Sequence, residues 1–128
     1  MPDLRGVGRE AEDRVAEFLI GKGYTIVTRR FKAAHGEIDL VALDGDLLVF
    51  VEVKWRRGRD ARPEDALDER KAGHLFDAAQ EYLFKMGDVD REFRCDLVAC
   101  TPAEIRHYED AMHRGGPSRS RTAEDRDD

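Results

Sequence analysis

Asp39, Glu52 and Lys54 are the residues whose types and spacing could do chemistry. Glu52 and Lys54 interrupt the segment LLVFVEVKW, residues 47–55, in which seven of nine residues are apolar. Both alternating faces are apolar as far as Phe50, so the segment reads as a strand buried on both sides. Side chains two apart in a strand point the same way, which puts Glu52 and Lys54 on one face. An unpaired carboxylate or ammonium in such a place costs several kcal/mol, so the two either satisfy each other or line a cleft.

The preceding segment narrows that choice. Asp44-Gly45-Asp46 lies between two apolar runs and signals a β-hairpin. If Gly45 and Asp46 are the loop, Asp44 pairs with Leu47 and Asp39 lies directly across from Glu52. If the loop is Asp44-Gly45, Glu37 takes that place and Asp39 sits diagonally adjacent. Either register brings at least two acids within about 4.5–8 Å on one face, whereas a three-residue loop without a bulge breaks the match. Like charges opposite each other destabilise a sheet unless a cation lies between them. Two acids and one lysine carry a net negative charge, which suits a divalent ion better than a closed ion pair. Hard oxygen donors favour Mg²⁺ or Mn²⁺ over zinc. The competing reading is a structural charge network, with Lys54 neutralising both acids near a sheet edge.

The elements that must position these residues follow from periodicity. Residues 8 to about 22 read as an amphipathic helix with Ala11, Val15, Phe18 and Leu19 on its apolar face, stopped by Gly21 and Gly23. Glu12 flanks that stripe, one side-chain row from Leu19, while Glu10, Asp13 and Glu17 point outward. The competing reading of Glu12 is a solvated first-turn acid stabilised by the helix dipole. Gly6-x-Gly8 lacks a preceding strand and a third glycine, so it reads as a flexible lead rather than a dinucleotide-binding turn. Strands are expected over 24–31, 38–43, 47–55 and 93–100, with a short fifth over 105–108. An Arg-, Gly- and Pro-rich loop over 56–63 leads into a second helix over about 64–86, with Leu67, Leu75, Ala78, Ala79, Tyr82 and Leu83 inward. The order α-β-β-β-α-β is an α/β fold, a mixed sheet flanked by helices. Residues 1–112 form one domain, and 113–128 read as a disordered charged tail with almost no apolar content.

Composition bounds the rest. A chain of 128 residues, 41% hydrophobic and 39% charged, can bury one core without disulfides or metal. No window approaches the ~20 apolar residues of a membrane span, and the N-terminus is too polar for a signal peptide, so a cytoplasmic protein with no membrane partner is expected. The net charge of -6 argues against a protein that simply coats DNA. Basic residues are nonetheless clustered: five, with one acid, from Lys54 to Arg62, and Arg29, Arg30 and Lys32 together. Arg56, Arg57, Arg59 and Arg62 could grip flanking phosphates or be merely solvated. Cys95 and Cys100 point to opposite faces of one strand about 17 Å apart, beyond disulfide reach, and read as packing residues. Ser118 and Ser120 are the sole serines and lie in the tail, which excludes a serine triad in the folded domain.

The spacing of Asp39, twelve residues, Glu52, one residue, Lys54 resembles the PD-(D/E)xK nuclease superfamily, with Ile38-Asp39 where the Pro-Asp pair would stand. More closely, GEIDLVALDGDLLVFVEVKWR resembles the signature of the bacterial UPF0102 family, also called the YraN family, which is similar to archaeal Holliday-junction resolvases. The resemblance covers about residues 8–112, from Ala11-Glu12 through Gly23-Tyr24, the Gly36-Glu37-Ile38-Asp39 block and Glu52-Val53-Lys54 to a basic residue near Lys71 and the ending over 105–112. It implies a restriction-endonuclease-like core. It also implies that Asp39, Glu52 and Glu12 hold Mg²⁺ or Mn²⁺, and that Lys54 orients the attacking water and offsets charge on the phosphate. The expected partner is DNA, including branched forms, contacted by Arg30, Arg56, Arg57, Arg59 and Lys71, with a homodimer left open. The rival function is a non-catalytic nucleic-acid-binding or adaptor protein that keeps the nuclease fold; a protein-interaction module is a third reading. Two positions depart from the pattern: Trp55, which could narrow the cleft or stack on a base, and His35.

Overall fold

Helix α1 (Leu4–Gly21) buries Val15, Ala16 and Leu19 completely and keeps Asp13 and Glu17 in solvent, as the 3-4 spacing of its apolar residues requires. The structure, a computed structural model, describes residues 4–34, 36–56, 69–113, 116–117 and 121–122, with side chains over 9–34, 36–56 and 73–111. The helix begins earlier than its apolar stripe suggests, and Gly6 and Gly8, expected in a flexible lead, lie inside it. Its last carbonyls are taken by Lys22, Gly23 and Tyr24 N–H groups, and Gly23 adopts a φ of +97°, a left-handed cap that a β-carbon would strain.

Strands β1 (Thr25–Ala33), β2 (Gly36–Asp44) and β3 (Leu47–Trp55) follow as an antiparallel meander. Helix α2 (Glu69–Met86) then carries the chain to β4 (Phe93–Cys100), which pairs parallel with β3, and β5 (Ile105–Glu109) returns antiparallel to β4. A parallel pair needs a long crossover, and α2 supplies it. The sheet order is β1-β2-β3-β4-β5, so the fold is the expected mixed α/β sheet flanked by helices. Within the segment read as a tail, the described residues make short pairings: β6 (Met112–His113) with β7 (Gly116–Pro117), and β8 (Arg121–Thr122) on the edge of β5.

The core has two layers. On one face Leu75, Ala78, Ala79, Tyr82 and Leu83 of α2 pack on Ile38, Val41, Leu48, Phe50, Cys95 and Leu97. On the other, Val15, Ala16 and Leu19 of α1 pack on Leu40, Ala42, Val49, Val51, Val98 and Cys100. Each fully buried aliphatic side chain contributes roughly 1.5–3 kcal/mol relative to exposure, and β3, covered on both faces, is the strand on which the layers meet. Cys95 and Cys100 fall in opposite layers, as their odd spacing requires, and burial pushes the Cys95 thiol up to about 12. Thiols so protonated are packing residues. No helix among the described residues is long and apolar enough to cross a membrane.

Candidate functional site

The hairpin between β2 and β3 closes on Gly45 and Asp46, with Gly45 at φ +62° and Asp44 paired with Leu47. That selects the register in which Asp39 lies across from Glu52. The ladder nevertheless stops one step short, at Leu40↔Val51. At the next position Asp39 Oδ2 accepts the backbone N–H of Val53 at 2.8 Å, so a carboxylate takes a main-chain donor that β2 no longer serves. The strands fork here, and the acid sits in the fork.

The β1 side of the fork is irregular as well. Arg29 pairs with Leu40 and Phe31 with Ile38, which leaves Arg30 across from Asp39, outside the ladder and at φ +56°. Alternation in β2 breaks at the same level: Ile38 packs in the α2 layer and Leu40 in the α1 layer, although residues two apart in a regular strand share a face. This local twist gathers groups from both faces. Arg30 reaches Glu12 on α1, its Nε lying 3.0 Å from both carboxylate oxygens and its Nη2 2.7 Å from Oε2. Glu52 and Lys54, on one face of β3, form an ion pair at 3.0 Å.

Burial, followed by the neighbouring Glu52 carboxylate and the more distant Glu12 charge, pushes the Asp39 carboxyl up to about 8, although the Val53 N–H pulls the other way. A hydrogen bond to the Glu52 side chain adds to the rise. The structure thus brings together all four residues singled out for chemistry, Glu12, Asp39, Glu52 and Lys54, and adds Arg30. In this arrangement Glu12 is turned to Arg30 and Glu52 to Lys54, and among the described residues no three acid, histidine or cysteine side chains converge as a finished metal shell. The donor chemistry still suits a hard divalent cation: it is all oxygen, and a cation at Asp39 would offset the burial and the Glu52 charge that raise its carboxyl.

The expected phosphate contacts are placed unevenly. Arg56 prolongs β3 through its N–H to the Cys100 carbonyl at 3.1 Å, and its Nη1 donates to the Trp55 carbonyl at 2.9 Å. Arg57, Arg59 and His35 lie outside the described residues, and Lys71 is in α2 with its side chain outside them. Trp55 packs in the α1 layer beneath the Arg14 guanidinium, 5.9 Å from the ring centroid, and therefore on the opposite face of β3 from Glu52 and Lys54. It does not wall Glu52 or Lys54.

One polar cluster had not been anticipated from sequence. Fully buried Asp96 accepts hydrogen bonds from Arg94 Nε at 2.8 Å, Arg94 Nη2 at 3.0 Å and the Asp110 N–H at 2.9 Å, with His107 Nε2 2.7 Å away. Arg94 also donates to the Tyr24 hydroxyl at 2.8 Å, and Lys22 Nζ lies 2.8 Å from His107 Nδ1. The available signal was Asp96 itself, a lone acid inside the apolar run FRCDLVAC, which must be satisfied if the run is buried. Glu12 lies midway along α1 and Lys22 just past its last residue, ten residues on and about 15 Å away by helical rise, so this network is separate from the fork.

Fold and site define a class, a mixed α/β core of restriction-endonuclease-like type with an acid cluster where two strands diverge. The family model described as "Uncharacterised protein family UPF0102" matches residues 11–100, and the chain belongs to this family. It is 43% identical over 99 residues to a UPF0102 protein of Symbiobacterium thermophilum, covering 77% of this chain and 84% of that one. It is 45% identical over 107 residues to a UPF0102 protein of Alcanivorax borkumensis, covering 80% and 86%. A UPF0102 protein of Erythrobacter litoralis is 38% identical over 105 residues, covering 81% and 90%. The matched region contains Glu12, Asp39, Glu52 and Lys54.

Proposed function

We propose that this chain is a metal-dependent endonuclease that hydrolyses DNA phosphodiester bonds, with branched or recombination intermediates as its substrates. The observation that carries the reading is Asp39 beside Glu52 at the fork, a carboxyl held protonated by burial and a like charge, with Lys54 3.0 Å from Glu52. Glu12 is paired with Arg30 and Glu52 with Lys54, which leaves Asp39 as the third carboxyl, held protonated and, among the described residues, without a cation of its own. Asp39, Glu52 and Glu12 are the residues that would hold Mg²⁺ or Mn²⁺, which when bound supplies Lewis acidity toward a phosphoryl oxygen.

The chain's own groups divide the remaining work. The Val53 N–H fixes one Asp39 oxygen and so sets the direction of the carboxyl in the fork. Lys54 puts an ammonium beside the same acids, placed to donate to a phosphate oxygen or to orient an attacking water. Arg56, with Arg57, Arg59 and Lys71, would hold flanking phosphates and set register without reading sequence.

A second reading, a non-catalytic nucleic-acid-binding module, is favoured by the partnering of Glu12 with Arg30 and of Glu52 with Lys54. A cleavage screen over single-stranded, duplex, flapped and four-way DNA, with Mn²⁺ and with EDTA, separates the two. The enzyme reading expects EDTA-sensitive cleavage that Glu52→Gln abolishes. Cleavage of no substrate with either metal gives the lead to the binding module.

A further inference from the structure

Arg30 occupies the carboxylate of Glu12 that a cation from solution would need. Its guanidinium serves both oxygens of Glu12, and the charges of Glu37 and Asp39 act on it as well. While that pair is closed, Glu12 is not available as a metal ligand. The partners are held very differently: the Glu12 side chain is 11% exposed and carried by α1, whereas the Arg30 side chain is 40% exposed. The guanidinium is therefore the member able to leave. Its backbone is held between the pairs Arg29↔Leu40 and Phe31↔Ile38, so release of the guanidinium asks only the side chain to turn.

A guanidinium fork matches a carboxylate and a phosphate equally well. We propose that Arg30 is a displaceable internal counter-cation, which holds Glu12 in the metal-free protein and is exchanged for a divalent ion when a DNA phosphate takes up its guanidinium. The inference rests on the metal-site reading above and adds a coupling to it. Phosphate that draws Arg30 away frees Glu12 for the metal, and metal on Glu12 frees Arg30 for phosphate. Coupling of this kind is reciprocal, so each ligand tightens the other by the same factor.

The test is the Ca²⁺ affinity of the full chain, measured by calorimetry with and without a 20-base-pair duplex. In the natural sequence the duplex should tighten Ca²⁺ by about tenfold or more, a common size for coupling between sites. Arg30→Gln should bind Ca²⁺ about tenfold more tightly without DNA, and the duplex should then add less than about twofold, because the coupled element is gone. Arg30→Gly, which suits the positive φ, should behave like Arg30→Gln, and melts in EDTA establish that both are folded. If the natural chain binds Ca²⁺ and both variants bind it no better, or keep the full effect of the duplex, Arg30 is a fixed counter-ion and the proposal fails alone. Two variants that unfold in EDTA also overturn it, since Arg30 is then part of the scaffold. If neither the natural chain nor the variants bind Ca²⁺, the metal-site reading falls and takes the proposal with it.

Discussion

Asp39, next to Leu40 of the last β2–β3 pair, accepts at 2.8 Å the backbone N–H of Val53, two residues past Leu40's partner Val51. The bond makes the carboxyl part of the sheet's own scaffold, fixed by main chain rather than by a counter-ion. Strand pairing would have supplied a carbonyl to a neighbouring N–H; here a titratable group does so, next to another acid. Structure and reactivity are thus joined at one atom, and changes at Asp39 separate into those that keep the acceptor and those that keep the charge.

Asp39→Asn keeps an oxygen for the Val53 N–H and removes the charge that a metal needs. Divalent-ion affinity should fall sharply, while stability in EDTA stays level or rises, because the buried acid no longer has to be kept protonated beside Glu52. Glu52→Gln should act similarly, since Asp39 can then ionise and serve Lys54. Asp39→Ala, which orphans the Val53 donor, should cost about 1–3 kcal/mol in the metal-free protein. Thermal melts in EDTA beside Mn²⁺ titrations check all three, and strong apo destabilisation by Asp39→Asn would mark the acids as a structural network.

The same carboxyl dictates a pH dependence. Its folded-state value of about 8 lies above the unfolded one, so the folded protein binds the proton more tightly. That contribution to stability is complete below about pH 4, the ordinary aspartate value, and is lost as pH rises through about 8. In EDTA the natural chain should therefore lose stability between pH 5 and 8 relative to Asp39→Asn, and saturating Mg²⁺ should cancel the loss. A stability difference between the two proteins that does not change across this window excludes the raised carboxyl.

Much of this site was legible in the sequence because strand alternation and a two-residue hairpin are strict geometric devices. Once Leu47–Trp55 is a strand and Gly45-Asp46 its turn, Asp39 faces Glu52 and Lys54 stands beside Glu52. Periodicity also placed Glu12 on the inner shoulder of α1. What sequence did not show depends on departures from regularity: Arg30 in a left-handed conformation, and Ile38 and Leu40 turned to opposite layers. No residue type announces either, since arginine seldom adopts φ +56° and a pattern of alternation gives no warning where it fails. The Asp96 network had a visible trace, but its partners, Lys22, Tyr24, Arg94 and His107, come from three distant segments that only the tertiary fold brings together.

Asp96 should respond in the sense opposite to Asp39. Burial raises its carboxyl, but the bonds to His107 and Arg94 outweigh that and hold it below the ordinary range. Its contribution is therefore present above about pH 4 and lost as pH falls through the lowered folded value. Asp96→Ala leaves Arg94, His107 and the Asp110 N–H facing a void, which should cost about 3–5 kcal/mol at pH 7, the usual scale for breaking a buried ion pair. Urea melts measure the cost, and Mn²⁺ affinity at the fork should be unchanged. A loss under about 1 kcal/mol would mean that water satisfies the network.

Lys54 distinguishes chemistry from folding most sharply. Its ammonium lies 3.0 Å from Glu52 and shares that residue's face of β3, so it can reach a phosphate or water held in the fork. Lys54→Ala removes one positive charge beside three carboxyls, and metal affinity should therefore hold or rise. Turnover should fall by about two orders of magnitude or more, the scale for losing a positioned acid-base or electrostatic group. Lys54→Arg would keep the charge but not the compact donor, and should restore stability more than rate. The measurement pairs Mn²⁺ affinity by calorimetry with cleavage of whichever DNA the screen identifies, for both variants beside Glu52→Gln. In the last, binding and cleavage should fall together; in the lysine variants they should come apart. A Lys54→Ala protein that cleaves as fast as the natural chain would reduce Lys54 to the counter-ion of Glu52, and the catalytic assignment would have to move elsewhere in the fork.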